Sequence, residues 1–477
     1  MLRSLVPSLV ADAIWPEHRT IYKLHPTSYL DGLRGIASII VFICHYTEDN
    51  HPSLIPSYGL NPDGSPSSWL QLPFIRIIFS GRPMVHIFFV ISGFVLSHKP
   101  LKAIHSRDLT RCFTILSSSA FRRPIRLFGP CIVSTFLIML MIQLGWLYAP
   151  LPTLTEQFWA WKNAVFHSIT WPWAWDFDLR PGYDIHLWTI PIEFAHSMLL
   201  FLVILMLSRV RQLVRQCFTV CLAVYCLCCG KWAAFEFIAG MFLAECHLLQ
   251  TPSSKLWESS DPTTISPPPP PVLDSLAWTT LHSLILLTAL FIGGWPNFAA
   301  ELTPGIRFFH FLTPEPFLST MDPLAPQKFW FALSAAFTVY SVGCLPSLRR
   351  LLEGPMAQYC GRVSYAVYIV HGPTLAIFQG SVVGHPFMPS QDEPGGLGYV
   401  PARPASGIRA MVGGDSPVQR TVAWAMGLVV LAPVVVWAAD VFWRLVDNPM
   451  IALGKRVEQA CLEEGEGGRV RGFVLAG

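Results

Sequence analysis

Apolar residues run in long blocks along this chain, separated by short polar, basic or Pro-rich stretches. A block of about 20 apolar residues is long enough to cross a bilayer as a helix. Such blocks fall near residues 30–46, 73–97, 127–149, 186–207, 214–230, 232–249, 276–293, 328–345, 362–380 and 420–442. The predicted fold is all-α and polytopic, with about ten transmembrane helices. Residues 1–27 read as a cytoplasmic or interfacial arm, 28–451 as the membrane domain and 452–477 as a polar cytoplasmic tail. Within the membrane domain, an inner linker at 250–272 ends in a run of prolines that excludes a helix. A Gly/Pro-rich outer loop occupies 381–418. The stretch FWAWKNAVFHSITWPWAWDFD is aromatic and broken by Pro, which suits an interfacial or re-entrant segment better than a span. Ten spans put both termini on one side. With the N-terminus inside, most of the 33 Lys and Arg fall in inner segments, so the expected orientation is N-in, C-in.

Composition agrees. Only 13% of residues are charged and 52% are hydrophobic, against roughly 25% charged in a soluble chain. A net charge of +3 is too slight to argue for a nucleic-acid partner. The 17 Trp suit a protein with two lipid–water interfaces, so membrane lipids are expected partners. The 12 Cys form no disulfide framework. Most sit in apolar runs, as do Cys217, Cys221, Cys226, Cys228 and Cys229, with no His or carboxylate at zinc spacing. They read as small buried hydrophobes. No HExxH and no clustered Asp/His set appears, so no metal is expected.

The chemistry concentrates first in SYLDGLRGIASIIVFICHY, residues 28–46. Arg34 and His45 are eleven residues apart, about three helical turns, so they share one face at a separation of roughly 16 Å. Ionisable groups inside an apolar span are costly and mark working sites. The plainer alternative is a snorkelling Arg and an interfacial His. Asp31 is placed to cap the helix or to counter the field of Arg34. The pattern LDGLRG with Arg-x10-His resembles the opening of the acyltransferase-3 family of integral-membrane acyltransferases. That family moves acyl groups, often acetyl from acetyl-CoA, onto hydroxyls.

Further stretches resemble the family in order. FRRPIRLFGP (121–130) resembles its arginine motif, implicated in donor handling; Arg123 and Arg126 lie three apart and share a face. A positive-inside anchor is the competing reading. FFVISGFVLS (88–97) resembles the segment FFVLSGFL. Ser92 and Gly93 there read as packing residues, because no Gly-x-Ser-x-Gly surrounds Ser92. HLWTIPIEFAHSMLL (186–200) resembles the family's LW-S-x-x-V-E-F pattern in Leu187, Trp188, Glu193 and Phe194, with Thr189 in place of the more usual Ser. Glu193 is expected at the depth of His45, orienting its imidazole, or else paired with an intramembrane Arg such as Arg82. His186 and His196 read as interfacial or packed polar groups. GRVSYAVYIVHGP (361–373) resembles SYxLYLxHxP in Ser364, Tyr365, Tyr368 and His371. RLVDNPMI (444–451) resembles the terminal Asp/Glu-x-Pro, and Asp447 reads as an anchor of the last helix end.

The resemblance spans about 28–451 and implies transfer of an acyl group, acetyl above all, from acyl-CoA as co-substrate to a hydroxyl of a small molecule, secondary metabolite or carbohydrate. It implies no tightly bound cofactor. His45 is the expected general base, since an imidazole titrates near neutral pH, with Glu193 as its helper. Arg34, Arg123 and Arg126 are expected to hold the donor. Arg82, His86, Tyr368 and His371 are candidate substrate contacts. The expected location is an endomembrane or the plasma membrane. A multi-pass transporter or flippase is the rival class, though no inverted repeat or paired broken helices support it.

Overall fold

In the computed structural model, residues 6–8, 14, 24–61, 64, 66–176, 179–250, 272–319, 322–384, 407–413 and 416–462 are described. Among them there is helix and turn and no strand. The Pro-rich linker, most of the 381–418 loop, most of the N-terminal arm and the end of the tail lie outside the described residues.

Ten long helices account for the ten apolar blocks. They are α1 (Ser28–Asn50), α2 (Gly81–His105), α3 (Leu109–Gln143), α4 (Thr189–Leu207), α5 (Gln212–Cys228), α6 (Trp232–Gln250), α7 (Val272–Gly293), α8 (Ala325–Cys344), α9 (Pro355–Val382) and α10 (Pro417–Phe442). Seven described helices are long and apolar enough to cross a membrane, or eight if α8 and the bent helix Pro346–Leu352 form one span. The remaining two differ for separate reasons. α5 has 17 residues and is short. α9 has 28 but carries Gln358, Arg362, Tyr365, His371 and Gln379, which lower its hydropathy. That polarity is tolerable because α9 packs between α1 and α10.

Two boundaries depart from the sequence expectation. The second block was expected to be helical from about 73. Its helix starts at Gly81, after short turns in which buried Arg76 donates to the Ile55 carbonyl at 2.7 Å. The third was expected to begin near 127, behind a basic loop. α3 instead starts at Leu109, where Asp108 accepts from the Arg111 backbone N–H at 2.9 Å as an N-cap. Its 35 residues carry the FRRPIR arginines inside a helix, through Pro124 and Pro130. The Trp-rich stretch is a helix at Leu154–Ala164 followed by one wide turn, with Trp159, Trp171, Trp173 and Trp175 exposed. The cysteines of α5 correct another expectation. Cys226 is buried, but Cys217, Cys221, Cys228 and Cys229 are exposed, because α5 packs mainly on α6 and leaves its other face outward.

α1 contributes to two apolar layers. Leu30, Ala37 and Val41 pack with α2, α4, α6 and α8, while Phe42 and Tyr46 pack with α9 and α10. Small residues allow these approaches. A Cβ at Gly35 would run into the Gly361 backbone of α9, and one at Gly93 would run into the Phe237 backbone of α6. Several charges inside the bundle are paired. Arg215 of α5 donates twice to Glu245 of α6, through Nε at 3.0 Å and Nη2 at 2.5 Å. His105 of α2 reaches the same Glu245 oxygen at 3.3 Å.

Gly93→Val should destabilise the fold by about 1–3 kcal/mol, because backbone, not a flexible side-chain end, blocks the added atoms. Gly454→Ala, whose Cβ would meet Arg122 at 3.7 Å, should stay within about 1 kcal/mol of wild type. Thermal unfolding in detergent measures both.

Candidate functional site

Two cavities open along α1, of similar size at about 260 and 290 Å³, so neither is a minor crevice beside the other. Arg34 lines the first and His45 the second. Both include Val85 of α2 in their walls.

The first cavity is basic. Arg34, Arg123, Arg126 and Arg362 line it, with Glu193 and Asp447 as its carboxylates and Phe88, Ile91, Leu96 and Leu127 among its apolar walls. Arg34 is held from three sides. Its Nε donates to Ser364 Oγ at 2.9 Å, its Nη2 to the Gly361 carbonyl at 3.1 Å, and it pairs with Asp31 at 3.0 Å. Asp31 therefore counters Arg34; no side chain caps α1. Arg123 pairs with Glu193 at 2.7 Å, and Ser92 donates to the same carboxylate oxygen at 3.0 Å. Arg123 and Arg126 share the cavity, as their three-residue spacing predicts. Asp447 is a buried wall residue here, beyond the anchoring role read from sequence. Arg362 was passed over in the sequence because it precedes a more conspicuous motif.

The second cavity is lined by His45, Glu48, Arg82, His86, Arg180, His186, Gln327 and Lys328, with Val41, Trp188 and Phe331. Glu193 is not the carboxylate at His45. That place belongs to Glu48, one turn further along α1, whose Oε2 lies 3.2 Å from His45 Nδ1. The reason is local. A short turn at Ile185–Trp188 precedes α4, so the group that α4 brings to the imidazole is His186. Glu193, about two turns deeper, reaches Arg123 instead. Nor is Arg82 the partner of Glu193: it donates to Gln327 at 3.3 Å. His86 is buried against Glu236 of α6. His196 stays a packed group, bonded to the Ile192 carbonyl at 2.8 Å.

His186 is the residue that sequence reasoning set aside. Its ring centroid lies 4.4 Å from that of His45 and 4.6 Å from that of His371; His45 and His371 stack at 5.4 Å. Asp184, just ahead of α4, holds His186 Nδ1 at 2.8 Å. Burial pushes the Asp184 carboxyl up to about 6, against the lowering pull of His371, the His186 backbone N–H and His45. Gly372 makes room for this pair, since a Cβ there would run into His186 Nδ1. Three elements distant in sequence supply the three imidazoles, which is why no local motif announced them.

A hydrogen-bonded chain joins the walls of the two cavities, with Tyr368 and Thr189 in the first and His186 in the second. Tyr368 of α9 donates its hydroxyl proton to the His186 carbonyl. Having spent its one proton, Tyr368 Oη accepts from Thr189 Oγ1 at 2.6 Å. Tyr365 donates to the Leu127 carbonyl at 2.6 Å. Such an arrangement can hold an anionic, extended ligand on the arginine side and a hydroxyl-bearing one on the histidine side, with their reacting ends near this chain.

A family model described as an acyltransferase domain matches residues 27–444. The chain belongs to this acyltransferase-3 family. It is 30% identical over 476 residues to the O-acetyltransferase PaAT-1 of Phomopsis amygdali, covering 93% of this chain and 86% of the relative. It is 27% identical over 426 residues to acyltransferase R4 of a Phoma species, covering 75% and 86%. It is 26% identical over 436 residues to acyltransferase clz18 of Cochliobolus lunatus, covering 77% and 88%. No solved structure matches the chain. The protein is an integral-membrane acyltransferase.

A double-mutant cycle on Arg123→Met and Glu193→Gln should show a coupling of about 0.5–3 kcal/mol in thermal stability. Arg123→Met alone leaves a carboxylate with only Ser92 as its side-chain partner, so the double variant should melt above that single one. Additive effects would contradict the pairing.

Proposed function

Starting from membership of the acyltransferase-3 family, we propose that this enzyme transfers an acyl group, acetyl in the simplest case, from acyl-CoA to the hydroxyl of a small molecule, secondary metabolite or carbohydrate. One observation carries the reading: a cavity with four arginines and a cavity with His45, His86 and His186 adjoin along one helix, sharing Val85, with Tyr368 of the first bonded to the backbone of His186 in the second. A relative named an O-acetyltransferase supports acetyl as the group and oxygen as its destination.

Arg34, Arg123 and Arg126 bind the phosphates and polar arm of the donor. Guanidinium forks suit phosphate oxygens, and a low-dielectric wall strengthens the attraction. With the N-terminus inside, the donor enters from the cytoplasm. Glu193 keeps Arg123 aimed into the cavity and acts as a positioning residue. The acceptor occupies the histidine cavity, with Arg82 and His86 as candidate contacts in its wall; Tyr368 lines the arginine cavity instead, and His371 meets the acceptor side only through the rings of His45 and His186.

His45 Nδ1–H donates to Glu48, which leaves Nε2 as a base. Nε2 takes the acceptor hydroxyl's proton as the oxygen attacks the thioester carbonyl carbon. The tetrahedral intermediate then expels the CoA thiolate: the C–S bond breaks, and the new C–O bond remains. The imidazolium returns its proton to sulfur, releasing free thiol and a neutral base. Glu48 stabilises the transient imidazolium and holds the ring by a single hydrogen bond. An acyl-histidine route uses the same atoms in two steps.

His45→Ala should lower turnover by about 10²–10⁴-fold with protein levels unchanged; wild-type turnover would refute the base. The Arg123→Ala/Arg126→Ala protein should raise the KM for acyl-CoA by roughly tenfold or more, at about 1.5–3 kcal/mol per charged hydrogen bond. CoA-thiol release by the purified protein with an acyl-CoA and candidate alcohols measures both. Movement of a substrate without thiol release would favour a transporter.

A further inference from the structure

We infer that His45, His186 and His371 form a binding site for one first-row transition-metal cation, Zn²⁺ being the best fit, whose occupancy switches acyl transfer off. The binding half stands alone. The switching half rests on the reading of His45 as the base.

Each of the three rings has its Nδ1 committed to an acceptor. His45 Nδ1 faces Glu48 Oε2 at 3.2 Å, and His186 Nδ1 faces Asp184 Oδ1 at 2.8 Å. His371 Nδ1 faces the carbonyls of Tyr368 at 2.8 Å and Val367 at 3.1 Å. An acceptor at Nδ1 fixes the ring proton there and leaves Nε2 as a bare lone pair. His371 Nε2 is fully buried and has no hydrogen-bond partner. With all three Nδ1–H groups spent on these acceptors, the three Nε2 atoms are left as acceptors.

One candidate ligand nitrogen from each ring lies within 4.8 Å of the others. Zn–N bonds of 2.0–2.1 Å in a tetrahedron require nitrogens about 3.3 Å apart, a closure that side-chain rotation supplies. Three imidazoles, two of which (His45 and His186) line the second cavity, match an open zinc site that leaves a position for a fourth ligand, not a sealed structural one. A carboxylate or backbone carbonyl on the far nitrogen of each ligating ring is the usual outer arrangement. Glu48 and Asp184 also bring two negative charges against a dication. Of the cations in the same wall, Lys328 is neutralised by Asp322 at 2.6 Å and Arg82 donates to Gln327 at 3.3 Å; Arg180 is the third. An all-imidazole donor set favours zinc, copper, nickel or cobalt over Mg²⁺ and Ca²⁺, which take oxygen ligands.

Metal and proton compete for one lone pair. Coordination through His45 removes the base and drops turnover. Chelation restores it.

The full chain, purified in detergent and stripped with chelator, is titrated with Co²⁺, with MgCl₂ as control. The expected result is one Co²⁺ per chain, the strong visible absorption of four-coordinate cobalt, and its displacement by Zn²⁺. His186→Gln and His371→Gln should each lose the band and weaken binding tenfold or more. His98→Gln, remote from the cluster, should retain both. Melting curves of the metal-free variants establish that they are folded, and Zn²⁺ should raise the melting temperature of wild type but not of the two cluster variants. No stoichiometric uptake, or equal uptake by His186→Gln, overturns the site. Stoichiometric Zn²⁺ with unchanged turnover overturns the switch alone. Absence of acyl transfer under every condition refutes the acyltransfer reading, while the cobalt titration still decides the site.

Discussion

A guanidinium within a helical bundle in lipid has no water to fall back on, so acceptors must be built around it. That requirement organises this protein. Arg34 takes a hydroxyl, a carbonyl and a carboxylate from α1 and α9. Arg123 ties α3 to α4 through Glu193, and Arg215 ties α5 to α6 through Glu245. Each arginine fixes the relative position of two helices, because its acceptors lie on a neighbour or are shared with one. Only the first two face a cavity where a ligand can compete for their remaining N–H groups.

The same constraint explains what the sequence disclosed. Arg34 and His45 were legible because one helix carries both, and helical periodicity converts an eleven-residue spacing into a shared face. Arg123 and Arg126 were legible for the same reason. The ten blocks matched ten helices because hydropathy reports how each helix meets its surroundings, even where α9 is too polar to pass on composition alone. Partnerships across helices were not legible. Nothing in the sequence says whether Glu193 faces His45 or Arg123, since the answer depends on how far α4 is advanced along its neighbours. The short turn ahead of α4 sets that advance, and it delivered His186 where Glu193 had been expected.

Glycine carries the other half of the architecture. Gly35 and Gly361 let α1 and α9 touch backbone to backbone, and Gly93 and Gly240 do so for α2 and α6. The close approach of α1 and α9 places a short side chain, Ser364, within reach of the charge of Arg34 on the neighbouring helix. Gly372 works at shorter range, leaving the space that Asp184 and His186 need. Close packing and paired charge are therefore one design here: the small residues bring the helices near enough for the polar ones to satisfy each other.

The chain of hydroxyls between the cavities has a direction. Proton donation runs from Thr189 to Tyr368 and on to the His186 carbonyl. It is the hydroxyl of residue 189 that enters it. Serine, the more usual residue in the family's motif, is chemically synonymous with threonine at this point. The variation is thus a change of spelling that leaves the meaning intact, whereas any residue without a hydroxyl would cut the sequence of donors at its first link.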